Sequence, residues 1–75
     1  MTKNLFDYID ERIIRILFNA GIPLTIGEIS CLTRISWITI KIHIQQLIDK
    51  GIVLLFPTAT IEKVIFNFQT YGHLA

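Results

Sequence analysis

Residues 36–51 have the sequence Ser36-Trp-Ile-Thr-Ile-Lys-Ile-His-Ile-Gln-Gln-Leu-Ile-Asp-Lys-Gly51, and two kinds of structure compete for it. Between residues 38 and 45 every second residue is an isoleucine, an alternation that by itself favours a strand. The flanks favour a helix, because Ser36 is a good N-cap and a lysine followed by Gly51 is a typical helix ending. The segment is also longer than most strands and contains no turn residue. We therefore predict a helix over residues 37–50.

This helix is predicted to have one buried and one exposed face. Steps of 100° per residue turn three aliphatic side chains inward, namely Ile40, Ile44 and Leu47. The opposite face then carries Ile38, Ile42, Gln45 and Asp49. One flank holds Thr39, His43 and Gln46, and the other holds Trp37, Lys41 and Ile48. For His43 a structural hydrogen bond is favoured over a phosphate contact, and for Trp37 a packing or interface role is favoured over a base contact.

A second, shorter helix is predicted just upstream. Thr25 followed three residues later by Glu28 has the form of a capping box, so a helix over residues 26–34 should follow. Ile29 and Leu32 are expected to face the core. Cys31 is expected to be a small buried apolar residue without a reactive role, since reactivity would require a lowered pKa and basic surroundings.

The remaining segments complete an α+β chain. Residues 5–20 carry isoleucine and leucine at helical spacing, after Asn4 as a plausible N-cap, and end before Gly21. Residues 52–68 form two apolar runs separated by Pro57-Thr-Ala-Thr60, which predicts a two-stranded hairpin. Residues 69–75 have no periodicity and are predicted to be an irregular tail. The sequence thus predicts one mainly α domain over residues 1–75, with three helices followed by a small β-hairpin.

Composition and charge limit the classes of function. A hydrophobic fraction of 52% against 17% charged residues excludes a disordered chain. The net charge of +1 is far from the strongly basic balance of a dedicated nucleic-acid binder. A single cysteine cannot form an internal disulfide, and no zinc-site spacing, glycine-rich phosphate loop or nucleophile–histidine–carboxylate order is present. We expect no enzyme activity, no cofactor and no metal, and a cytoplasmic chain without a signal peptide or membrane span.

The pattern from Thr25 to Val53 resembles a known family. Thr25-x-x-Glu28-Ile29 is followed by Ile35-Ser36-x-x-Thr39-Ile40-x-x-His43-Ile44-x-x-Leu47-x-x-Lys50-Gly51-Ile52-Val53. This is similar to the core of winged helix-turn-helix transcription regulators of the ArsR and MarR groups, and the resemblance covers about residues 5–68. Its isoleucine content and small size also look similar to short regulators of archaea and their viruses.

The resemblance implies a homodimer that binds double-stranded DNA, with the third helix in the major groove and the hairpin as a wing. By position, the DNA-contacting residues would be Arg34, Ser36, Trp37, Ile38, Thr39, Lys41, Ile42, Gln45 and Lys63. The best phosphate-contact candidates are Lys41 and Arg34. Two departures from the family are visible, since the central strip of the helix holds isoleucines and the turn of the wing lacks glycine and arginine.

The exposed isoleucines leave three interpretations open. Ile38 and Ile42 could pack on thymine methyl groups, they could anchor a protein–protein interface, or they could reflect only the isoleucine content of the source genome. The second interpretation makes the chain a winged-helix interaction module that also uses Trp37. Surplus apolar residues on the first helix, Ile14 and Phe18, are predicted to form the dimer interface.

Overall fold

The structure is a computed structural model that describes residues 7–56 and 61–71. The element order is α1 (Tyr8–Ala20), β1 (Leu24–Thr25), α2 (Ile26–Thr33), α3 (Trp37–Asp49), β2 (Val53–Phe56), β3 (Lys63–Phe66) and α4 (Phe68–Tyr71). In the described residues, three longer helices pack against a small antiparallel sheet. The predicted α+β class is therefore confirmed.

The first helix begins later than predicted. Asp7 has an extended backbone, with φ −87° and ψ −176°, and its side chain accepts the Asp10 N–H, so Asp7 is the N-cap. A carboxylate at N3, from Asp10, reaches back to the cap N–H and completes a capping box. The predicted start near residue 5 is wrong for this reason, and Asn4 itself lies outside the described residues. Gly21 ends the helix with φ 67°, as expected for a glycine cap.

A tight turn connects α2 to α3. The predicted capping box of Thr25 and Glu28 is confirmed, and α2 ends at Thr33 because Arg34 adopts a left-handed conformation with φ 61°. The Thr33 hydroxyl donates to the Ile29 carbonyl at 2.8 Å, and the Ser30 hydroxyl donates to the Ile35 carbonyl. These bonds occupy polar groups of the turn that would otherwise need water.

Residues 37–49 form the predicted helix rather than the alternative strand. Ser36 accepts the Thr39 N–H as the N-cap, and the helix ends one residue before the predicted boundary, with Lys50 as C-cap. Gly51 then adopts φ 80°, a conformation that glycine tolerates and β-branched residues avoid. The caps and the helical spacing of Ile40, Ile44 and Leu47 therefore outweigh the local β propensity.

The sheet has three strands rather than the predicted two. Its order is β1-β3-β2 with both pairings antiparallel, and Leu24 pairs with Val64 while Val53 pairs with Phe66. The strands of the hairpin, at residues 53–56 and 63–66, are shorter than predicted, and the predicted turn at residues 57–60 lies outside the described residues. Residues 68–71 form a helical turn, not the predicted end of a strand and start of a tail.

The core lies where α1, α2 and α3 meet the inner face of the sheet. Its fully buried members are Ile13, Leu17, Ile29, Ile40, Leu47, Val53 and Val64. Two predictions on α2 are wrong, because Leu32 is 59% exposed and Cys31 is exposed. The reason is the phase of this eight-residue helix, which buries Ile29 and Thr33, four residues apart, and packs Ile26 partly against the core.

The capping box of α2 makes stability depend on pH. The Thr25 N–H donates to Glu28 Oε1 at 2.8 Å, and together with the Thr25 hydroxyl and the Lys63 charge it lowers the pKa of Glu28 below the ordinary value of 4.5. A carboxylate whose pKa is lower in the folded than in the unfolded protein stabilises the fold at any pH above its unfolded-state pKa. This stabilisation is lost as the pH falls through the folded-state pKa. Urea unfolding of wild type and Glu28→Gln at about pH 5 and about pH 3 should show a smaller acid loss in the variant. Equal losses would contradict this role of Glu28.

Candidate nucleic-acid interface

The outer face of α3 is apolar and exposed. Trp37 is 48% exposed, Ile38 67% and Ile42 54%, and the polar Gln45 continues the same face toward the end of the helix. The buried positions are Ile40, Ile44 and Leu47, so the predicted helical phase is confirmed. Ile38 and Ile42 lie on one face and Trp37 on its flank, and three exposed large apolar side chains within two turns are unusual for a surface helix. We call these three residues, Trp37, Ile38 and Ile42, the α3 patch.

Polar groups border the α3 patch on one side. The Lys41 ammonium lies 5.1 Å from the centroid of the Trp37 ring, a cation–π distance that holds the charge at the edge of the patch. Gln45 Nε2 donates to the Asp49 carboxylate at 3.3 Å. This exposed bond leaves the Gln45 carbonyl oxygen available as an acceptor. The sequence-predicted pair of Lys41 and Gln45 therefore lies together on α3.

The beginning of α3 lies at the turn. The Ser36 hydroxyl donates to Thr39 Oγ1 at 2.9 Å and accepts the Thr39 N–H at 3.3 Å, so both side chains first serve the cap. Arg34 is exposed in the turn two residues before Ser36, so it is a nearby cation in the sequence. A capped helix start beside a cation can bind a phosphate group, since the N-terminal end of a helix carries partial positive charge.

The predicted wing contact, Lys63, is less available than the cations near α3. It is partly buried on β3, where it pairs with Thr25 on one side and Phe56 on the other. Its charge also attracts the Glu28 carboxylate, whose pKa it helps to lower. The structure therefore does not bring Lys63 into the group formed by the α3 patch, Lys41 and Gln45.

A small hollow of about 140 Å³ separates α3 from the sheet. It is lined by Ile26, Lys41, Ile44, Gln45, Ile48, Leu55, Glu62 and Val64. Leu55 and Glu62 were not predicted as neighbours of the α3 face, because helical periodicity cannot show which strand residues lie beside a helix. The acidic Glu62 next to Lys41 reduces the positive charge of this region.

Behind α3, a histidine links the helix to α1. His43 Nδ1 lies 2.8 Å from Asp10 Oδ1 and 3.7 Å from the carboxylate of Asp7, and the Asp10 side chain is only 5% exposed. The sequence predicted a structural hydrogen bond for His43, and the geometry agrees. The partner was not predicted, because Asp10 stands in the charged run Asp10-Glu11-Arg12 and nothing in the sequence indicated that it is buried.

The same three side chains have the donor types of a metal site. Ligand atoms of Asp7, Asp10 and His43 lie within 4.8 Å of one another. Their groups already serve the protein, since Asp7 Oδ1 accepts the Asp10 N–H at 2.9 Å and Asp10 Oδ1 accepts from His43. A cation would have to replace the cap and the bond between α1 and α3. The cluster is therefore explained by its structural role.

The predicted dimer residues on α1 are partly used within the subunit. Ile14 and Phe18 are half-buried and pack against the core. The Phe18 ring contacts Phe66 edge-on with centroids 5.2 Å apart, and it lies 5.5 Å from the Phe68 ring. The exposed remainder of this face is bordered by Glu11 and Arg15.

Comparisons with known proteins give no relative: no family model matches the chain, and no curated protein or solved structure matches it either. In the described parts of the chain, no helix combines the length and the apolar character that crossing a membrane requires.

Proposed function

We propose that the chain is a winged-helix DNA-binding protein, a cytoplasmic transcription regulator that acts as a homodimer with α3 in the major groove. The element order α1-β1-α2-α3-β2-β3 and the strand order β1-β3-β2 support this interpretation. The tight turn between α2 and α3, with its left-handed Arg34, supports it further, because it presents the second helix of a helix-turn-helix pair.

The observation that carries the proposal is the accessibility of α3. The exposed face starts at a capped N-terminus and runs from Ser36 to Asp49 with no described element covering it. Major-groove recognition needs such a helix, because its first turns must reach base edges while nearby cations contact phosphates. Lys41 and Arg34 supply the phosphate contacts in this scheme, and Gln45 and Thr39 supply hydrogen bonds to bases.

The apolar residues of the α3 face could contact thymine bases. Ile38 and Ile42 lie one helical turn apart and can pack against thymine methyl groups, which project into the major groove. We therefore expect sites rich in A·T pairs to bind more tightly than G·C-rich sites. A homodimer would place two copies of α3 in successive major grooves, about 34 Å apart, on a near-palindromic site.

Replacing Lys41 with alanine tests the phosphate contact. The affinity for all duplex sequences should fall, and the slope of log K against log salt should decrease in magnitude by about 1 per protomer. Arg15→Ala is the matched control, because it removes the same charge from the exposed surface of α1. Titration of a fluorescent duplex at several salt concentrations measures both effects. An unchanged slope for Lys41→Ala would remove this residue from the interface.

A second candidate function is a protein-interaction module, and the α3 patch specifically favours it. Aromatic and aliphatic side chains grouped at the centre of a surface, with charges at the rim, are typical of protein interfaces. Trp37, held by Lys41, would be the anchor residue. Salt distinguishes the two functions, since DNA affinity falls steeply with salt concentration and an apolar interface is much less sensitive.

A further inference from the structure

The free edge of β2 has the properties of a pairing surface. The strand order makes β2 an edge strand of the described sheet. Its last three side chains stay exposed although all are apolar: Leu54 41%, Leu55 51% and Phe56 43%. Proteins usually protect an edge strand with a charged residue, a proline or a bulge. The four residues of β2 include no charge and no proline, and all four pair with β3 in continuous register.

The hydrogen-bond pattern shows which backbone groups face the free edge. The Asn67 N–H donates to the Ile52 carbonyl at 2.9 Å, while the Ile52 N–H donates to the Leu47 carbonyl at 3.0 Å, so the Ile52 carbonyl faces the β3 side at the base of the hairpin. Hydrogen-bonded and non-bonded pairs alternate along an antiparallel ladder. Leu54 and Phe56 therefore direct their N–H and C=O groups toward β3. Val53 and Leu55 direct theirs away from β3, toward an edge where no described strand lies.

We propose that β2 pairs antiparallel with β2 of a second copy of this chain, about a two-fold axis at Leu54. In this register Val53 lies opposite Leu55 of the partner subunit, and each such pair exchanges two N–H···O bonds. The two three-stranded sheets become one continuous sheet. A register centred on Leu55 is less favourable, because it places Val53 opposite Pro57 of the partner subunit, which has no N–H to donate.

The absence of charge on β2 and its apolar outer face favour a second copy as the occupant. Two copies of β2 can pair without repulsion between like charges, because β2 contains no charged residue. On the outer face Leu54 would contact Leu54 of the partner subunit, a cross-strand pair of the kind that stabilises sheets. The pairing is isologous, so each copy satisfies the same backbone groups of the other.

The β2 contact alone is smaller than the interface of a stable dimer, so other residues must contribute to it. A stable dimer buries roughly 800 Å² per subunit, about a sixth of the 5238 Å² surface of this chain. A four-residue strand supplies only part of that area. The end of α3 would contribute further area through Ile48, which lies beside Leu55 around the same hollow. By contrast, Ile14 and Phe18 are already packed against the core of their own subunit.

This interface deepens the proposed function, since it names the contact of the proposed homodimer. Its test measures mass rather than DNA affinity, so failure of strand pairing is distinguishable from failure of DNA recognition. In the proposed register Leu54 is the one residue that lies opposite the same residue of the partner subunit. A charge placed at this position therefore faces the same charge in a homodimer, and this can be tested by charge swapping.

The experiment compares Leu54→Lys, Leu54→Glu and their equimolar mixture by light scattering. Wild type should have twice the 8.6 kDa mass of the chain. Each variant alone should be monomeric, with the dimer dissociation constant raised on the order of 100-fold by like charges at the axis. The mixture should regain the dimer mass, because lysine then lies opposite glutamate. Circular dichroism would verify that both variants are folded.

Two further variants make the result decisive. Ile14→Lys introduces the same charge on α1 and should leave the dimer intact. Leu55→Pro removes an N–H that points to the free edge, which an edge strand tolerates, so it should give a folded monomer. A monomeric wild type, dimeric Leu54 variants, or a mixture that stays monomeric would overturn the pairing. A monomer produced by Ile14→Lys, with dimeric Leu54 variants, would place the interface on α1 instead.

Discussion

Replacing Ile42 with aspartate is expected to abolish DNA binding while leaving the protein folded. Ile42 is 54% exposed at the centre of the α3 face, so the substitution creates no cavity and buries no charge. Isoleucine and aspartate also differ little in helix propensity. In the DNA complex the new carboxylate would replace a methyl contact and face the phosphates of the groove, in both subunits. A loss of affinity on the order of 100-fold or more is expected.

A neighbouring position supplies the matched control. Ile40 stands two residues away on the same helix but is 0% exposed. Ile40→Asp places an unpaired charge in the core and should cost about 5 kcal/mol or more, enough to unfold a small domain. Circular dichroism and duplex titration of both variants measure the contrast. An unfolded Ile42→Asp would contradict its exposed position, and unchanged DNA affinity would exclude the α3 face as the interface.

The largest expected effect on stability from a polar group comes from His43. His43→Ala removes the 2.8 Å partner of the Asp10 carboxylate, which is 5% exposed and far from water. The nearby Asp7 cannot replace it, because it is also negatively charged. The buried Asp10 carboxylate would keep the bond from the Asp7 N–H but lose its shorter bond to His43, which should lower the free energy of unfolding by about 2–3 kcal/mol. Urea unfolding measures this loss.

A double-mutant cycle separates the bond from the packing of the ring. Asp10→Ala removes the carboxylate, and the double variant removes both partners at once. The loss in the double variant should be at least about 1 kcal/mol smaller than the sum of the two single losses, because neither partner is then left unpaired. Strictly additive losses would show that His43 stabilises the protein by packing alone.

The helices could be predicted because their ends carry strong signals. Ser36 and Gly51 marked residues 36–51 as a helix despite the alternating isoleucines, and the phase of that helix followed from Ile40, Ile44 and Leu47. Thr25 and Glu28 marked the start of α2 in the same way. These signals are local, so one sequence is enough to show them.

The features that the sequence did not show arise from contacts between distant residues. The two-residue strand β1 exists only because Leu24 and Thr25 pair with β3, nearly forty positions later. Asp10 looks like a surface residue of α1, yet the fold places it against His43 on α3. The exposure of Leu32 depends on how short α2 packs beside its neighbours. In the candidate site, the α3 patch was predicted by periodicity, whereas Leu55 and Glu62 beside it depend on the tertiary arrangement.

Binding of double-stranded DNA by α3 can be measured by titration of a mixed-sequence duplex at about 50 and about 200 mM salt. Two cations per subunit, Arg34 and Lys41, would give a dimer about four phosphate contacts and a loss of affinity of roughly 10²-fold between these concentrations. That steep loss is the result we predict. No measurable binding at the lower concentration, or an affinity that does not change with salt, would contradict DNA recognition and favour a protein partner for the α3 patch.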